Sequence, residues 1–196
     1  MMLRFRVSII MIAAAVSTQP IANASIGNVI RVSVTSSGAE VTGDSGFSGN
    51  PQLSGDGTIV GFDSLSQTLV TNPVYFGDNC YFHNALTNET ILVSRGLSGA
   101  APDDSSEIVD VSLNGRFVLF QSRASNLVVG DTNSSNDVFV YDRQGGQIER
   151  VSVGSGGVQC PTWTGAGTIS ADGRFVTFST NFAMAPEDTN GKIDVY

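Results

Sequence analysis

Beyond the first two dozen residues, apolar and polar positions alternate in short runs, and no stretch of ten or more residues repeats at helical spacing. The clearest run is Phe117-Val118-Leu119-Phe120-Gln121-Ser122. Phe117, Leu119 and Gln121 fall on one side, Val118, Phe120 and Ser122 on the other, because successive strand residues point to opposite faces. Both sides are largely apolar, which predicts a strand in a sheet packed between neighbouring sheets. Just ahead, Asn114-Gly115 is a strong hairpin signal, since both residues tolerate positive φ. The pattern predicts a first strand ending at Ser112, a second over 116–122, a polar loop, and a third strand near 138–141. A turn over 143–147 then leads to a fourth strand over 148–153.

The same pattern recurs. Ser54-Gly55-Asp56-Gly57-Thr58-Ile59-Val60-Gly61-Phe62, Ser112-Leu113-Asn114-Gly115-Arg116-Phe117-Val118-Leu119-Phe120 and Ser170-Ala171-Asp172-Gly173-Arg174-Phe175-Val176-Thr177-Phe178 align at successive offsets of 58. Asn136-Asp137-Val138-Phe139-Val140-Tyr141-Asp142 matches 78–84 upstream and Ile193-Asp194-Val195-Tyr196 downstream. Arg31-Val32-Ser33, Leu92-Val93-Ser94 and Arg150-Val151-Ser152 recur in the same register. Four short strands per unit, with one hairpin signature each, mark the blades of an all-β propeller. The units run over about 28–94, 95–152 and 153–196. In order, they predict one closing strand near 30–34, two complete four-stranded blades, and a third blade that stops after its third strand. The first strand is expected to complete that last blade. Because the smallest propellers have about four blades, the expectation is a piece of a longer propeller, or a subunit that self-associates to complete the ring.

The Ser-x-Asp-Gly-Arg-Phe-Val-x-Phe run, the loop over 122–133 and the Asp-Val-Phe-Val-Tyr-Asp strand resemble the WD40-like (PD40) repeats of TolB-type β-propellers. The first unit departs from them, with Thr71-Asn72-Pro73 where Gly-Asp-Thr-Asn would stand. The resemblance implies a non-enzymatic scaffold that binds a protein or other ligand through its loop face. Propellers of this kind also cap the catalytic domain of prolyl-oligopeptidase-like hydrolases, a reading that only a downstream α/β-hydrolase domain would support.

Residues 1–24 have the layout of a secretory signal peptide: Arg4 and Arg6, an apolar run over 7–16 broken only by Ser8, and the cleavage pattern Ala22-Asn23-Ala24. Ten apolar residues reach across only about half of a bilayer core, and no later stretch is a candidate membrane span. A secreted or periplasmic protein is expected, in a compartment that permits disulfides. Cys80 and Cys160 pair only if the fold brings them together.

Composition narrows the chemistry. The net charge is −8, only 14% of residues are charged, and Lys192 is the one lysine. With no basic cluster, nucleic acid and anionic membranes are not expected partners. One histidine and two cysteines cannot build a His cage or a Cys/His zinc site. His83 occupies the strand position of Tyr141 and reads as structural. No Gly-x-Ser-x-Gly elbow stands on a strand-to-helix turn, and Gly154-Ser155-Gly156-Gly157 lacks the helix that a phosphate cradle needs.

What remains is oxygen chemistry in the loops. Asp131, Asn133, Ser135 and Asp137 place oxygen-bearing side chains at alternate positions, as a calcium loop does. Asp188, Asn190 and Asp194 repeat this in the third unit, where Lys192 intrudes. The same residues are equally the material of Asx-turns. More than half of the acids, among them Asp103, Asp104 and Glu107, map to the face carrying the second-to-third and fourth-to-first strand loops. Trp163 lies in such a loop, as a sugar-stacking platform or as a loop anchor.

Overall fold

The computed structural model describes residues 29–41 and 48–196, so the expected signal peptide over 1–24 lies outside the described residues. From Arg31 onward the chain folds as one unit of three successive antiparallel sheets. Strands β1 (Ser48–Leu53), β2 (Ile59–Ser64), β3 (Asn79–Asn84) and β4 (Glu89–Leu92) form the first, paired in chain order. Strands β5 (Ser106–Val111), β6 (Phe117–Ser122), β7 (Asp137–Asp142) and β8 (Gln147–Arg150) form the second. Strands β9 (Thr164–Ile169), β10 (Val176–Thr180) and β11 (Asp194–Val195) form the third. These are propeller blades: two four-stranded meanders and one of three strands, stacked face to face.

The two-sided apolar pattern of β6 reports this stacking. Val118 and Phe120 pack toward the first blade with Ile59, Phe82 and Phe139. Leu119 faces the third, with Val138, Ile169 and Phe178. Phe120 and Phe139 stack with ring centroids 5.4 Å apart, an offset aromatic contact that adds to area burial. His83 is buried, and its Nδ1 lies 2.9 Å from Thr90 Oγ1. Burial lowers its pKa. Cys80 and Cys160 are both buried and unpaired, in different core clusters.

Each hairpin between first and second strands uses the same turn, and it differs from the expected geometry. Only the glycine adopts positive φ: +71° at Gly57, +66° at Gly115 and +76° at Gly173. Its Asp or Asn keeps ordinary φ and works through its side chain. Ser112 Oγ donates to Asn114 Oδ1 (2.8 Å), which also accepts from Arg116 N (2.9 Å), while Phe117 N donates to Ser112 Oγ (2.9 Å). Ser54 with Asp56, and Ser170 with Asp172, repeat this network. The serine and the Asx residue thus satisfy amides that a two-residue turn would leave to solvent.

A second repeated device joins blade to blade. The first strand of every blade carries a register shift. In the second blade the nearby Ile108 amide donates to Asp63 Oδ1 of β2 at 2.6 Å; in the third, Ala166 N donates to Gln121 Oε1 of β6 at 3.5 Å. A side chain of one blade therefore satisfies a backbone amide of the next.

The strand expected near 30–34 is not formed. Val34 makes only an isolated bridge to Glu40, and the third sheet keeps three strands. The chain turns here instead of pairing with the third sheet. Thr35 N donates to Ala39 O, as Gly96 N does to Ala100 O and Gly154 N to Val158 O. Residues 34–40 are thus the first copy of a repeated tight connector, held against β4 by Thr90 Oγ1 donating to Val34 O (2.5 Å). Among the described residues, no helix is long and apolar enough to cross a membrane.

Candidate functional site

The meander brings the second-to-third and fourth-to-first strand loops to one end of the blades. There, between the second and third blades, lies an open cleft of about 510 Å³ lined by Asp103, Asp104, Arg123, Ser125, Ser134, Ser135, Asn136 and Trp163. It shares Asp104, Arg123, Asn136 and Trp163 with an adjoining hollow of about 330 Å³ that adds Asp78, Glu107 and Gln121. Together they make one groove.

Its walls are tied down from below. Asp103 accepts from Ser125 N (2.7 Å) and Ser125 Oγ (2.6 Å), which pins the connector before β5 to the loop after β6. Asn136 Nδ2 donates to Thr164 O (2.9 Å) and Gln121 Oε1 (3.2 Å), and Asn136 O accepts from Thr164 Oγ1 (2.7 Å). Trp163 is therefore anchored through its neighbour to the second blade. A Cβ on Gly165 would stand 2.5 Å from the Trp163 ring, so this glycine makes room for the indole. The residue nevertheless remains 52% exposed. Trp163 is both a packed loop residue and an open aromatic surface.

The groove's charged lining consists of Asp78, Asp103, Asp104, Glu107 and Arg123. Four carboxylates against one guanidinium favour a cationic or donor-rich ligand. An exposed indole face adds a platform for a cation or a flat apolar group.

The Asp/Asn loop lies beside this groove and is organised differently. Asp131, Asn133 and Asp137 converge; Ser135 instead turns its hydroxyl toward Asn133 O (3.5 Å) and borders the groove. Asn133 Nδ2 donates to Asp137 Oδ2 (2.8 Å) and Cys160 O (2.6 Å), while Ser152 Oγ donates to Asp137 Oδ1 (2.5 Å). Two residues outside the motif complete the cluster. Gln159 Nε2 donates to Asp131 Oδ1 (2.8 Å), and Arg150 Nη1 stands 3.3 Å from Asp131 Oδ1 and 3.9 Å from Asp137 Oδ2. Burial, with the Asp137 charge next, raises the Asp131 pKa above its usual value.

The third blade repeats the clamp. Asn190 Nδ2 donates to Asp194 Oδ2 (2.9 Å), Asn190 N donates to Asp188 Oδ1 (3.3 Å), and the Tyr196 hydroxyl donates to Asp188. Lys192 contributes its backbone amide, donating to Asn190 Oδ1 (2.5 Å). No group of three or more His, Cys, Asp or Glu side chains converges as a metal-ligand set among the described residues.

No family model matches the chain, and no curated protein does. Solved structures are similar in part. TolB from Acinetobacter baumannii is 20% identical with a TM-score of 0.42, the match covering 75% of this chain and 28% of that one. A protein described as TolB from Agrobacterium tumefaciens is 16% identical with a TM-score of 0.46, covering 74% of this chain and 40% of that one. The tricorn protease is 12% identical with a TM-score of 0.42, covering 80% of this chain and 13% of that one. The chain spans well under half of each. Its blade architecture rests on its own sheet order and face-to-face packing.

Motif reading placed Asp103, Asp104 and Glu107 on one acidic loop face and Trp163 in a loop of its own, without joining them into a groove. It passed over Arg123, Asn136, Arg150 and Gln159, whose partners lie a loop or a blade away.

Proposed function

We propose that this chain is an exported, non-enzymatic propeller module that binds a basic segment of a partner protein in the groove beside Trp163, in the periplasm or outside the cell. The observation that carries this reading is the open, predominantly acidic groove with a half-exposed indole at the loop end of the blades. A lysine or arginine side chain would lie over the indole and meet Asp104 and its neighbours.

Trp163 is the single tryptophan, so its fluorescence reports on the groove without labelling. Titration with a lysine- and arginine-rich peptide is expected to shift the emission saturably, whereas an acidic peptide of equal length leaves it unchanged. Asp104→Asn is expected to weaken the basic peptide about threefold or more, as loss of a partly exposed charge contact does. Response to a neutral oligosaccharide instead would assign the groove to sugar stacking, and silence to every ligand would remove the binding role from this face.

The Asp131 loop offers a separate test. A calcium ion taken up there would have to displace Arg150, the cation already facing both carboxylates. The expected signature is a calcium-dependent rise in Tm that grows in Arg150→Ala and disappears in Asp131→Ala, because an ion bound only by the folded state stabilises it. Equal response to magnesium would mean general charge screening.

A further inference from the structure

One cation stands in the acidic groove. Arg123 lines both of its hollows, together with Asp104 and Trp163. Its backbone is held in place directly after β6: Arg123 N (3.2 Å) and Ser122 Oγ (3.0 Å) both donate to Ser105 O, and Ala124 N donates to Ser122 Oγ (3.0 Å). Ser122 and Ala124 on either side are buried, whereas Arg123 itself is exposed.

Every other arginine among the described residues has an acidic or carbonyl partner, and the Arg123 guanidinium has neither. The carboxylates that share the groove with it are held by other donors. Asp103 accepts from Ser125 through both oxygens, Asp104 Oδ1 accepts from Ser105 N (2.7 Å), and Glu107 Oε2 accepts from Gln121 Nε2 (2.9 Å). A guanidinium carries its donors in a planar fork that matches a carboxylate in two parallel hydrogen bonds. Here the fork lines a groove and has no partner among the described residues.

We propose that Arg123 binds a carboxylate of the ligand, so that the groove selects a segment in which an acidic group lies within one or two residues of a lysine or arginine. This inference rests on the basic-segment reading of the groove and sharpens it. The ligand's cation takes the Trp163 face and the acidic walls, and its carboxylate takes the fork. Because Trp163 and Arg123 belong to both hollows, the two charges meet them only where they lie close together in the ligand. Arg123 also acts against the wrong ligand. A second cation beside the first would face the guanidinium, a repulsion of the kind that specific interfaces use to exclude competitors. The carboxylate is an Asp or Glu side chain, or the carboxyl terminus of the partner.

Bulk charge alone predicts the opposite: in a groove with four carboxylates, adding an acid to a basic peptide weakens its binding. Trp163 emission is titrated with three peptides of equal length. One is all-basic with an amidated end, one is the same with an aspartate two positions after a central lysine, and one is all-basic with a free carboxyl terminus. The parent is expected to bind one of the two carboxylate-bearing peptides about threefold tighter than the all-basic amide, the size of a partly exposed ion pair. Which of the two is preferred gives the source of the carboxylate. Arg123→Gln is expected to lose the preference and to bind the all-basic amide more tightly than the parent does. Arg123→Lys, which keeps the charge without the fork, is expected to retain only part of it. If the parent binds neither carboxylate-bearing peptide more tightly than the all-basic amide, or if the preference survives in Arg123→Gln, the proposal is overturned while the basic-segment reading stands. Emission unmoved by any of the three peptides removes that reading itself, and the proposal with it.

Discussion

Gly173→Ala is expected to destabilise the chain by about 3 kcal/mol or more, seen as a lower urea midpoint with little change in slope. Two costs coincide at this residue. Its φ of +76° lies in the left-handed region, which costs an L-residue about 1 kcal/mol or more. The added methyl would also stand 2.0 Å from Phe117 Cδ2 and 2.4 Å from Cε2. That is an overlap that only a shift of the ring or of the whole turn relieves, at a further 1–3 kcal/mol or so for overpacking. Gly57→Ala separates the two. Its φ is +71°, yet a Cβ there meets nothing within 4 Å. It is expected to show the backbone cost alone. Equal losses in both variants would mean that the overlap with Phe117 is relieved without cost.

Asp63 is expected to make stability fall as pH rises. Burial pushes its carboxyl from 3.8 up to about 7, against the opposing hydrogen bonds from Ile108 and Asn50. Between about pH 4 and pH 7 the folded chain therefore holds a proton that the unfolded chain has released. Proton binding then favours folding at the acid end of that window, and the benefit is lost as pH rises through the folded pKa. Asp63→Asn keeps an oxygen for the Ile108 amide and removes the buried charge. At pH 8 it is expected to exceed the parent by about 2 kcal/mol, within the upper bound set by about 1.36 kcal/mol for each tenfold change in proton affinity, and the gap should close toward pH 4. Asp63→Ala leaves the Ile108 amide without its partner and is expected to cost about 1–3 kcal/mol at acid pH, where the charge no longer matters. Urea melts of the three proteins at pH 4, 6 and 8 check this. A constant gap between parent and Asp63→Asn across that range would rule out titration of Asp63 in the window.

The short-range features were legible in the sequence because their causes are short-range. Alternation over six residues is the strand itself, and β6 falls over Phe117–Ser122 as the pattern predicted, to within one residue. The Ser-x-Asp/Asn-Gly turn closes through hydrogen bonds between residues two and five apart, so it was visible as a motif, although its use of φ differed from the simplest Asn-Gly turn. Recurrence at an offset of 58 then implied blades, since repeated half-exposed sheets can bury themselves only by stacking. The strand expected near 30–34 failed for the converse reason: Arg31-Val32-Ser33 looks like a strand end, but a strand exists only beside a partner, and the third sheet keeps three strands.

The stacking of blades decided the rest. Asp63 reaches Ile108 across 45 positions of chain, and nothing in its surroundings in the sequence marks a carboxylate destined for a buried amide. The alternate oxygens of 131–137 suggested a cation loop, but only the fold set Arg150 against Asp131 and Asp137 and drew Gln159 onto them. Trp163, Arg123 and Asp104 become neighbours because three loops leave the blades at one end. Period and turn chemistry act along a few consecutive residues, and so the sequence by itself determined the strands, the turns and the blade. Charge, burial and hydrogen-bond partners act through space between residues tens of positions apart, and only the packed faces settled which of those residues meet.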